Sequence, residues 1–322
     1  MITTVLRRGA LSLAAAVGLL LGVAATTSAQ EVYPIGMDDY RGIQASATEP
    51  LFVGGSYMWG VDMFVPNHPY GTTEPAVEAS PVTVVWDWGD GTTTGVTSAP
   101  DSWDVWCNVE QDEGPYRCSS WVSHDYAAQG LYRITATASQ PNASDGFLEA
   151  GQVIYDLAKG GSVRGGGLLT ARSGGMYDQD FSSGLATVQL SAKRRSGSSA
   201  TTVSLVISVP GMTPDFSGGT GMTFTSLAAT QPLYVERLSR TGYEVLVDRV
   251  YGTVTSTAGF EGTAQAMVHA VVAKGQPTLL RFSVWSTSAG FTYADSNTEV
   301  FPTRWTLTQN EDVLSGSLRV SS

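Results

Sequence analysis

The sequence predicts an all-β protein with two domains, and three observations support this. Apolar and polar residues alternate with period two in many stretches, which is typical of half-buried strands. Gly, Asn, Asp and Pro separate these stretches at short intervals, while long helical periodicity is nearly absent. At about 150 residues per domain, the chain is long enough for two units that each bury a core.

The first 29 residues have the order of a secretory signal peptide. Arg7 and Arg8 precede an apolar run from Ala10 to Ala25, and small residues lead to a cleavage site near Ala29. The run is shorter than the roughly twenty residues that span a bilayer. We therefore expect a secreted, extracellular protein that begins near Gln30, without membrane insertion.

The chain is acidic, with a formal net charge of −11 at pH 7. Cleavage of the leader removes two cations and no acidic residue, so the mature charge becomes −13. Such a surface argues against nucleic acid and anionic membranes as partners, because both carry negative charge themselves.

The two cysteines, Cys107 and Cys118, stand close together in the chain. In an exported protein a pair of this kind predicts a disulfide. The alternative, a zinc site, needs two further ligands, and His68, His124 and His269 do not stand at ligand spacing. We predict no metal and no cofactor.

Two stretches of the first domain predict half-buried strands. Their apolar faces are Val82, Val84, Trp86 and Trp88, and Tyr132, Ile134, Ala136 and Ala138.

We expect the domain boundary near Ala150, so that residues 30–149 form the first domain and 150–322 the second. The glycine-dense run from Lys159 to Gly167 is interpreted as the opening loop of the second domain, with a flexible linker as the alternative.

The second half continues the alternation, which predicts a second sandwich or a barrel. Two strands have the apolar faces Ala186, Val188, Leu190 and Ala192, and Val203, Leu205, Ile207 and Val209. Further candidate strands are Tyr243–Val250, Phe260–Ala273, Thr278–Thr287, Arg304–Gln309 and Val313–Val320.

Two motifs of the first half carry a family resemblance. The segment from Trp86 to Thr92 reads W-D-W-G-D-G-T and resembles the W-D-F-G-D-G-T signature of polycystic kidney disease (PKD) domains. The segment from His124 to Thr135 resembles the H-x-Y-x-x-x-G-x-Y-x-V pattern of the same family. The resemblance covers Gly42 to Ser139, and its motif residues are Trp86, Asp87, Gly89, Asp90, Gly91, His124, Tyr126, Gly130 and Tyr132.

The resemblance implies an immunoglobulin-like β-sandwich that serves as a spacer or binding module of extracellular proteins, and not as a catalyst. In such a fold, Gly89 and Gly91 close a tight hairpin and Asp90 bonds the turn amides. The chain departs from the family in one place. About thirty residues, including the cysteine pair, separate Gly91 from His124, where the family has a short connection.

The second half is similar to the all-β tail domains that follow PKD repeats in some secreted bacterial proteins. The likeness rests on the glycines between Gly161 and Leu169 and on the strand pattern from Val254 to Val272. It transfers no catalytic residue to this chain.

The insert before His124 is rich in aromatic and acidic residues. Six of the eight tryptophans lie in the first domain, and three of these are in the insert. Flat rings beside carboxylates are suited to stack on sugar faces or to anchor a protein partner, so the insert is a candidate binding platform. The alternative is that the rings cover the edge of their own sandwich. The candidate binding residues are Trp103, Trp106, Tyr116 and Trp121.

Other polar residues favour structural roles. No acidic cluster has a recognised calcium-loop spacing, although Asp38, Asp39, Asp87 and Asp90 are candidate oxygen ligands. We interpret His124 as structural, His269 as a surface residue, and Lys193-Arg194-Arg195 as a solvated strand end. The chain lacks a G-x-S-x-G elbow, an H-E-x-x-H helix and a P-loop.

Together these features predict a secreted, non-catalytic binding or adhesion protein for a polysaccharide or an extracellular surface protein. One alternative is a structural spacer without a small ligand, which predicts that Trp103, Trp106 and Trp121 are buried. The other is a small secreted hydrolase, which predicts two carboxylates about 5 to 10 Å apart in a pocket of the C-terminal domain.

Overall fold

The structure is a computed structural model. It describes residues 33–37, 43–45, 50–70, 72–73, 76–77, 79–108, 115–173, 182–210, 221–256, 261–287, 292–295 and 315–322. The predicted signal peptide, the predicted strand Arg304–Gln309 and the calcium candidates Asp38 and Asp39 lie outside these residues.

The described residues form twenty-four β-strands and no helix, which confirms the all-β prediction. The strands of the first half are β1 (Tyr33–Pro34), β2 (Gly36–Met37), β3 (Gln44–Ala45), β4 (Leu51–Phe52), β5 (Ser56–Val65), β6 (Thr72–Thr73), β7 (Ala76–Val77), β8 (Thr83–Asp87), β9 (Thr93–Thr97), β10 (Val105–Asn108), β11 (Tyr116–Asp125), β12 (Gly130–Ser139), β13 (Ala143–Ser144) and β14 (Gly146–Tyr155). Those of the second half are β15 (Gly161–Ser173), β16 (Ser182–Arg194), β17 (Thr201–Pro210), β18 (Gly221–Ala229), β19 (Tyr234–Arg237), β20 (Gly242–Ser256), β21 (Glu261–Ala273), β22 (Leu279–Ser286), β23 (Thr292–Asp295) and β24 (Ser315–Ser321). Within the described ranges, no helix has the length and apolar character needed to cross a membrane.

The first half is a sandwich of two five-stranded sheets. One sheet has the order β10-β11-β5-β2 with β3 also paired to β5, and the other has the order β4-β14-β12-β8-β9. Alternation along each strand turns one set of side chains inward, and the two inward sets form one core. Core residues from the two sheets include Trp59, Val61, Met63, Cys118 and Val122, and Val84, Trp86, Ile134 and Ala136.

The β8–β9 hairpin has the predicted turn. Gly89 and Gly91 have φ values of 74° and 90°, a region that glycine enters without strain. Asp90 Oδ1 accepts hydrogen bonds from the amide and the hydroxyl of Thr92 at 2.9 and 2.6 Å. The hairpin therefore has its turn conformation and its capping carboxylate encoded in five consecutive residues.

The motif aromatics stack from the core to the hairpin. The Trp86 and Trp88 rings lie 5.2 Å apart with an interplanar angle of 5°, and the His124 ring stacks on Trp88 at 4.4 Å. His124 Nε2 lies 3.0 Å from Asp90 Oδ2, so the histidine joins the stack to the turn. The Tyr126 hydroxyl donates to the Trp88 carbonyl. These contacts connect His124 to the core and to the hairpin turn.

The Asp90 turn makes stability depend on acid pH. Burial by itself raises the pKa of Asp90. The Thr92 hydroxyl, the Thr92 amide and His124 together lower it by more, so the pKa lies below the ordinary aspartate value. Such a carboxylate stabilises the fold above its unfolded pKa of about 3.9, and the contribution is lost as the pH falls through the folded pKa. We expect the thermal midpoint, measured by circular dichroism, to fall more between about pH 5 and pH 2 in the wild type than in Asp90→Asn. Parallel curves would contradict this.

The second half is one curled sheet of ten strands. Its order is β16-β17-β18-β20-β21-β22-β23-β15-β24, with β19 paired to β20 and β15 also paired to β16. Because β15 pairs with both β16 and β23, the sheet returns on itself and has a barrel-like form. Inward residues fill the interior, as the alternation of β16 and β17 predicts, and include Val188, Leu190, Leu205, Ile207, Phe224, Val254 and Phe282.

The glycine-dense run is a strand and not a loop, which corrects the sequence interpretation. Residues 161–173 form β15, with β16 on one side and β24 on the other. A Cβ atom on Gly166 would overlap the Val188 carbonyl, and one on Gly165 would overlap the Ser317 carbonyl. Glycine is needed here because neighbouring backbones approach too closely for a side chain.

The two halves meet at a buried junction. Strand β14 continues to Tyr155, so the boundary predicted near Ala150 lies inside a strand of the first sandwich. Val153 and Tyr155 pack against Tyr234 and Leu246 of the second half. We infer a firmly packed connection, since an apolar cluster excludes water between the two halves.

Candidate functional site

The predicted disulfide is confirmed. Cys107 of β10 and Cys118 of β11 are bonded and stand directly opposite each other in the antiparallel register. Both are buried, at 3% and 0% exposure. Among the described strands β10 pairs with β11 alone, so the bond fastens the last strand of the sheet to its neighbour.

The structure separates the four candidate binding residues. Trp103 and Trp106 are 90% and 53% exposed, and Trp121 is half-buried. Tyr116 is 6% exposed and packs its ring against His68 at 4.9 Å. Strand alternation explains why Tyr116 is buried and Trp121 is not. Tyr116 is two residues from the buried Cys118 and points to the same face, whereas Trp121 is three residues away and points to the opposite face.

Trp106 and Trp121 line one groove on the outer face of the β5–β10–β11 sheet. The groove has a volume of about 370 Å³, and its lining also includes Asp62, Arg117 and Ser119. Trp103 does not line it. We call this feature the outer groove.

The Trp121 ring rests on a glycine. Trp121 stands opposite Gly60 of β5 in the register, and a Cβ atom on Gly60 would lie 2.6 Å from the indole ring. A larger residue would therefore displace the ring from the sheet surface. The glycine leaves one indole face against the backbone, which holds the ring flat along the floor of the groove.

The outer groove contains a charged and hydrogen-bonded cluster. Arg117 Nη2 lies 2.8 Å from Asp62 Oδ2, and the Ser119 hydroxyl donates to Asp62 Oδ1. The Asp62 side chain is 11% exposed, whereas that of Arg117 is 46% exposed. The carboxylate is thus held in place by two neighbours, while the guanidinium remains accessible to a ligand.

Asp62, Arg117 and Ser119 were not singled out from the sequence. The available signal was the alternation of β5, in which Tyr57, Trp59, Val61, Met63 and Val65 point inward and Asp62 therefore points outward. Arg117 and Ser119 likewise alternate with the buried residues of β11. Only the pairing of β5 with β11 brings these three polar side chains together.

Two further apolar side chains are exposed on β5. Met58 and Phe64 are 41% and 40% exposed and point outward, as Gly60 and Asp62 do between them. The outer face of this sheet therefore combines flat or polarisable apolar surface with a central polar cluster. This combination is common where a surface recognises a ligand with both apolar and hydroxyl-bearing faces.

The remaining acidic candidates have local roles. Asp87 Oδ1 accepts from the Gly89 amide at 2.9 Å, as Asp90 does from Thr92, so both carboxylates cap the hairpin turn. In the part of the chain that the structure describes, no three His, Cys, Asp or Glu residues group in a way that could hold a metal ion.

His269 is buried and not a surface residue, which corrects the prediction. It is 2% exposed, and its Nε2 lies 3.0 Å from Glu244 Oε1. Its neighbours in the register, Leu246 and Arg281, are 0% and 1% exposed. The face opposite the barrel-like core is thus covered at this position, and Leu246 packs on β14. The prediction was wrong because it assumed that only one face of β21 is buried.

Comparison of the chain with family models, with curated proteins and with solved structures gives no match in any of the three. We therefore infer the function from the geometry of the described residues.

Proposed function

We propose that this is a secreted, non-catalytic binding protein whose first half is a PKD-type sandwich and whose outer groove recognises polysaccharide. The observation that supports this most is that Trp106 and Trp121 line one groove together with the Asp62–Arg117 pair. Sugar rings have apolar C–H faces and equatorial hydroxyls, so a site for them needs both flat aromatic surface and fixed polar groups.

The groove suits a chain of sugars better than a single small ligand. It lies on the outer face of a sheet, where Phe64 and Met58 are also exposed. A polymer can contact several of these side chains at once, and each contact is then made at a high effective concentration. Individual contacts of modest strength are sufficient for such a ligand.

A protein partner is the second candidate function. The 90% exposed Trp103 precedes β10 and does not line the outer groove, so it is available to a larger surface. Exposed tryptophans are typical centres of protein interfaces. The spacer alternative predicted burial of the insert tryptophans, and the exposures of Trp103 and Trp106 favour recognition over that alternative.

The hydrolase alternative would place two facing carboxylates in the second half. A groove there, lined partly by Arg164, Gln189 and Ser204, contains no carboxylate among its described lining residues. A larger one at the junction contains one carboxylate side chain, Glu236, among those described. These linings give the alternative no support.

The test is retention of the purified mature protein on a panel of insoluble and soluble polysaccharides. Affinity is measured by pull-down and by quenching of tryptophan fluorescence. We expect Trp121→Ala and Trp106→Ala each to weaken binding about 10- to 30-fold, because truncation of a stacked ring typically costs about 1.4 to 2 kcal/mol. Arg117→Gln should weaken binding less than the two tryptophan variants. The guanidinium is exposed to solvent, so a hydrogen bond to the ligand replaces one to water and contributes little net free energy.

Trp103→Ala is the matched control, because it removes the same ring from an exposed position outside the groove. We expect it to keep the wild-type affinity for polysaccharide within about twofold. Equal losses in all three tryptophan variants would show that the outer groove is not the site. Retention of a surface protein but of no polysaccharide, with the loss concentrated in Trp103→Ala, would favour the second candidate.

A further inference from the structure

A further groove lies at the start of the second half, beside the segment that follows β14. It has a volume of about 650 Å³ and is lined by the segment that follows β14, the ends of β16 and β19, and the start of β15. We call it the junction cavity. Its charged lining residues are Lys159, Lys193, Arg194, Glu236 and Arg237.

Arg194 is the unusual member of this set. It was predicted to be solvated at a strand end, but it is 3% exposed, because the chain after β14 folds over the end of β16. Its Nη2 donates to the Asp156 carbonyl at 3.0 Å and its Nη1 to the Ser198 carbonyl at 3.4 Å. Its Nε makes no hydrogen bond, and within the described ranges no carboxylate forms an ion pair with it.

Burying a cation that is bonded only to backbone carbonyls is costly, so its surroundings matter. Burial lowers the pKa of Arg194 below the ordinary arginine value, although an arginine stays charged at neutral pH. The field of such a charge is weakly screened because little water surrounds it. An anion placed in the adjacent cavity would therefore gain more from Arg194 than from a lysine on an open surface.

The other charges of the cavity are also mainly positive. Glu236 is shared, since its carboxylate lies 2.8 Å from Lys159 Nζ and also accepts from Gln129. Lys193 and Arg237 are exposed, and among the described residues neither forms an ion pair. The lining side chains thus carry four cations and one carboxylate, and the α-carboxylate of Ser322 adds a second negative group.

Hydroxyl donors lie beside Lys193. Lys193 is opposite Ser162 in the β15–β16 register, and Ser162 is opposite Ser321 of β24. The two serine hydroxyls are 2.9 Å apart. Ser322, also in the lining, forms no ion pair with these cations within the described residues. One of these hydroxyls donates to the other, so the ammonium and the remaining hydroxyl proton are the donors available to one compact anion.

We propose that the junction cavity binds a compact oxyanion, of the sulfate, phosphate or carboxylate class. Lys193 and the hydrogen-bonded Ser162–Ser321 pair supply direct hydrogen bonds, the pair through its one remaining hydroxyl proton, and Arg194 supplies a favourable field. The site is separate from the outer groove and does not depend on the polysaccharide proposal. An oxyanion here would also contact the segment that connects β14 to β15, since the lining includes residues 158–160.

The test is isothermal titration calorimetry on the full mature chain at constant ionic strength. The probes are sodium sulfate, sodium phosphate and sodium acetate, with sodium chloride in the reference titration. We expect saturable binding of at least one oxyanion, and a loss of about tenfold in affinity in Lys193→Gln. The order of the three affinities distinguishes a sulfate, phosphate or carboxylate group as the natural ligand moiety.

Arg195→Gln is the matched control, since Arg195 is the exposed neighbour of Arg194, does not line the cavity, and loses the same charge. We expect it to change the affinity less than about twofold. Ser162→Ala, which keeps all charges, should also weaken binding, and this separates hydrogen bonding from general electrostatics. Absence of saturable binding, or equal losses in Lys193→Gln and Arg195→Gln, would overturn the proposal.

Discussion

Replacement of Trp88 by alanine is expected to lower the free energy of unfolding by about 3 to 5 kcal/mol. The Trp88 side chain is fully buried, and its ring lies 5.2 Å from Trp86, 4.4 Å from His124 and 6.2 Å from Trp59. Its Nε1 donates to the Thr94 hydroxyl at 3.0 Å. The substitution leaves a cavity between two sheets and removes the surface on which His124 stacks, so the hairpin should loosen as well.

The measurement is urea unfolding followed by far-ultraviolet circular dichroism, because loss of a tryptophan alters the fluorescence signal itself. Trp103→Ala is the control, since Trp103 is 90% exposed and its removal leaves no cavity. We expect a change of less than about 0.5 kcal/mol for that variant. Similar losses for the two variants would contradict the assignment of Trp88 to the core.

Removal of the disulfide is expected to lower the stability of the folded protein by about 3 kcal/mol. The bond closes a loop with a sequence separation of 11 residues, and its loss increases the freedom of the unfolded chain. It also fastens β10, which pairs only with β11 in the described part of the sheet. Trp106 is next to Cys107, so the polysaccharide binding proposed for the outer groove should weaken together with stability.

The appropriate variant is Cys107→Ala with Cys118→Ala, because both positions are buried and serine would add unpaired hydroxyls. Unfolding midpoints in urea are compared with those of the wild type, with and without a reducing agent. The double variant should be insensitive to the reductant, whereas the wild type should lose stability in it. A wild-type midpoint that is unchanged on full reduction would contradict the prediction.

The sequence determined the elements whose signal is local. Alternation in β8, β12, β16 and β17 predicts their inward faces, because side chains in a strand point to opposite sides whatever the strand pairs with. The hairpin around Asp90 was predictable for the same reason, since its glycines and capping carboxylate are neighbours in the chain. The cysteine pair needed only proximity along the chain and an exported context.

Tertiary structure decided the features that depend on what covers a strand. His269 and Arg194 occupy positions that alternation leaves exposed or at a strand end, yet both are buried because other segments pack over them. The glycine-dense segment is a strand because β16 and β24 approach it closely on both sides. The outer groove also depends on tertiary structure. Asp62 and Arg117 are 55 residues apart and meet only through the register of β5 with β11, a long-range pairing that no local pattern encodes.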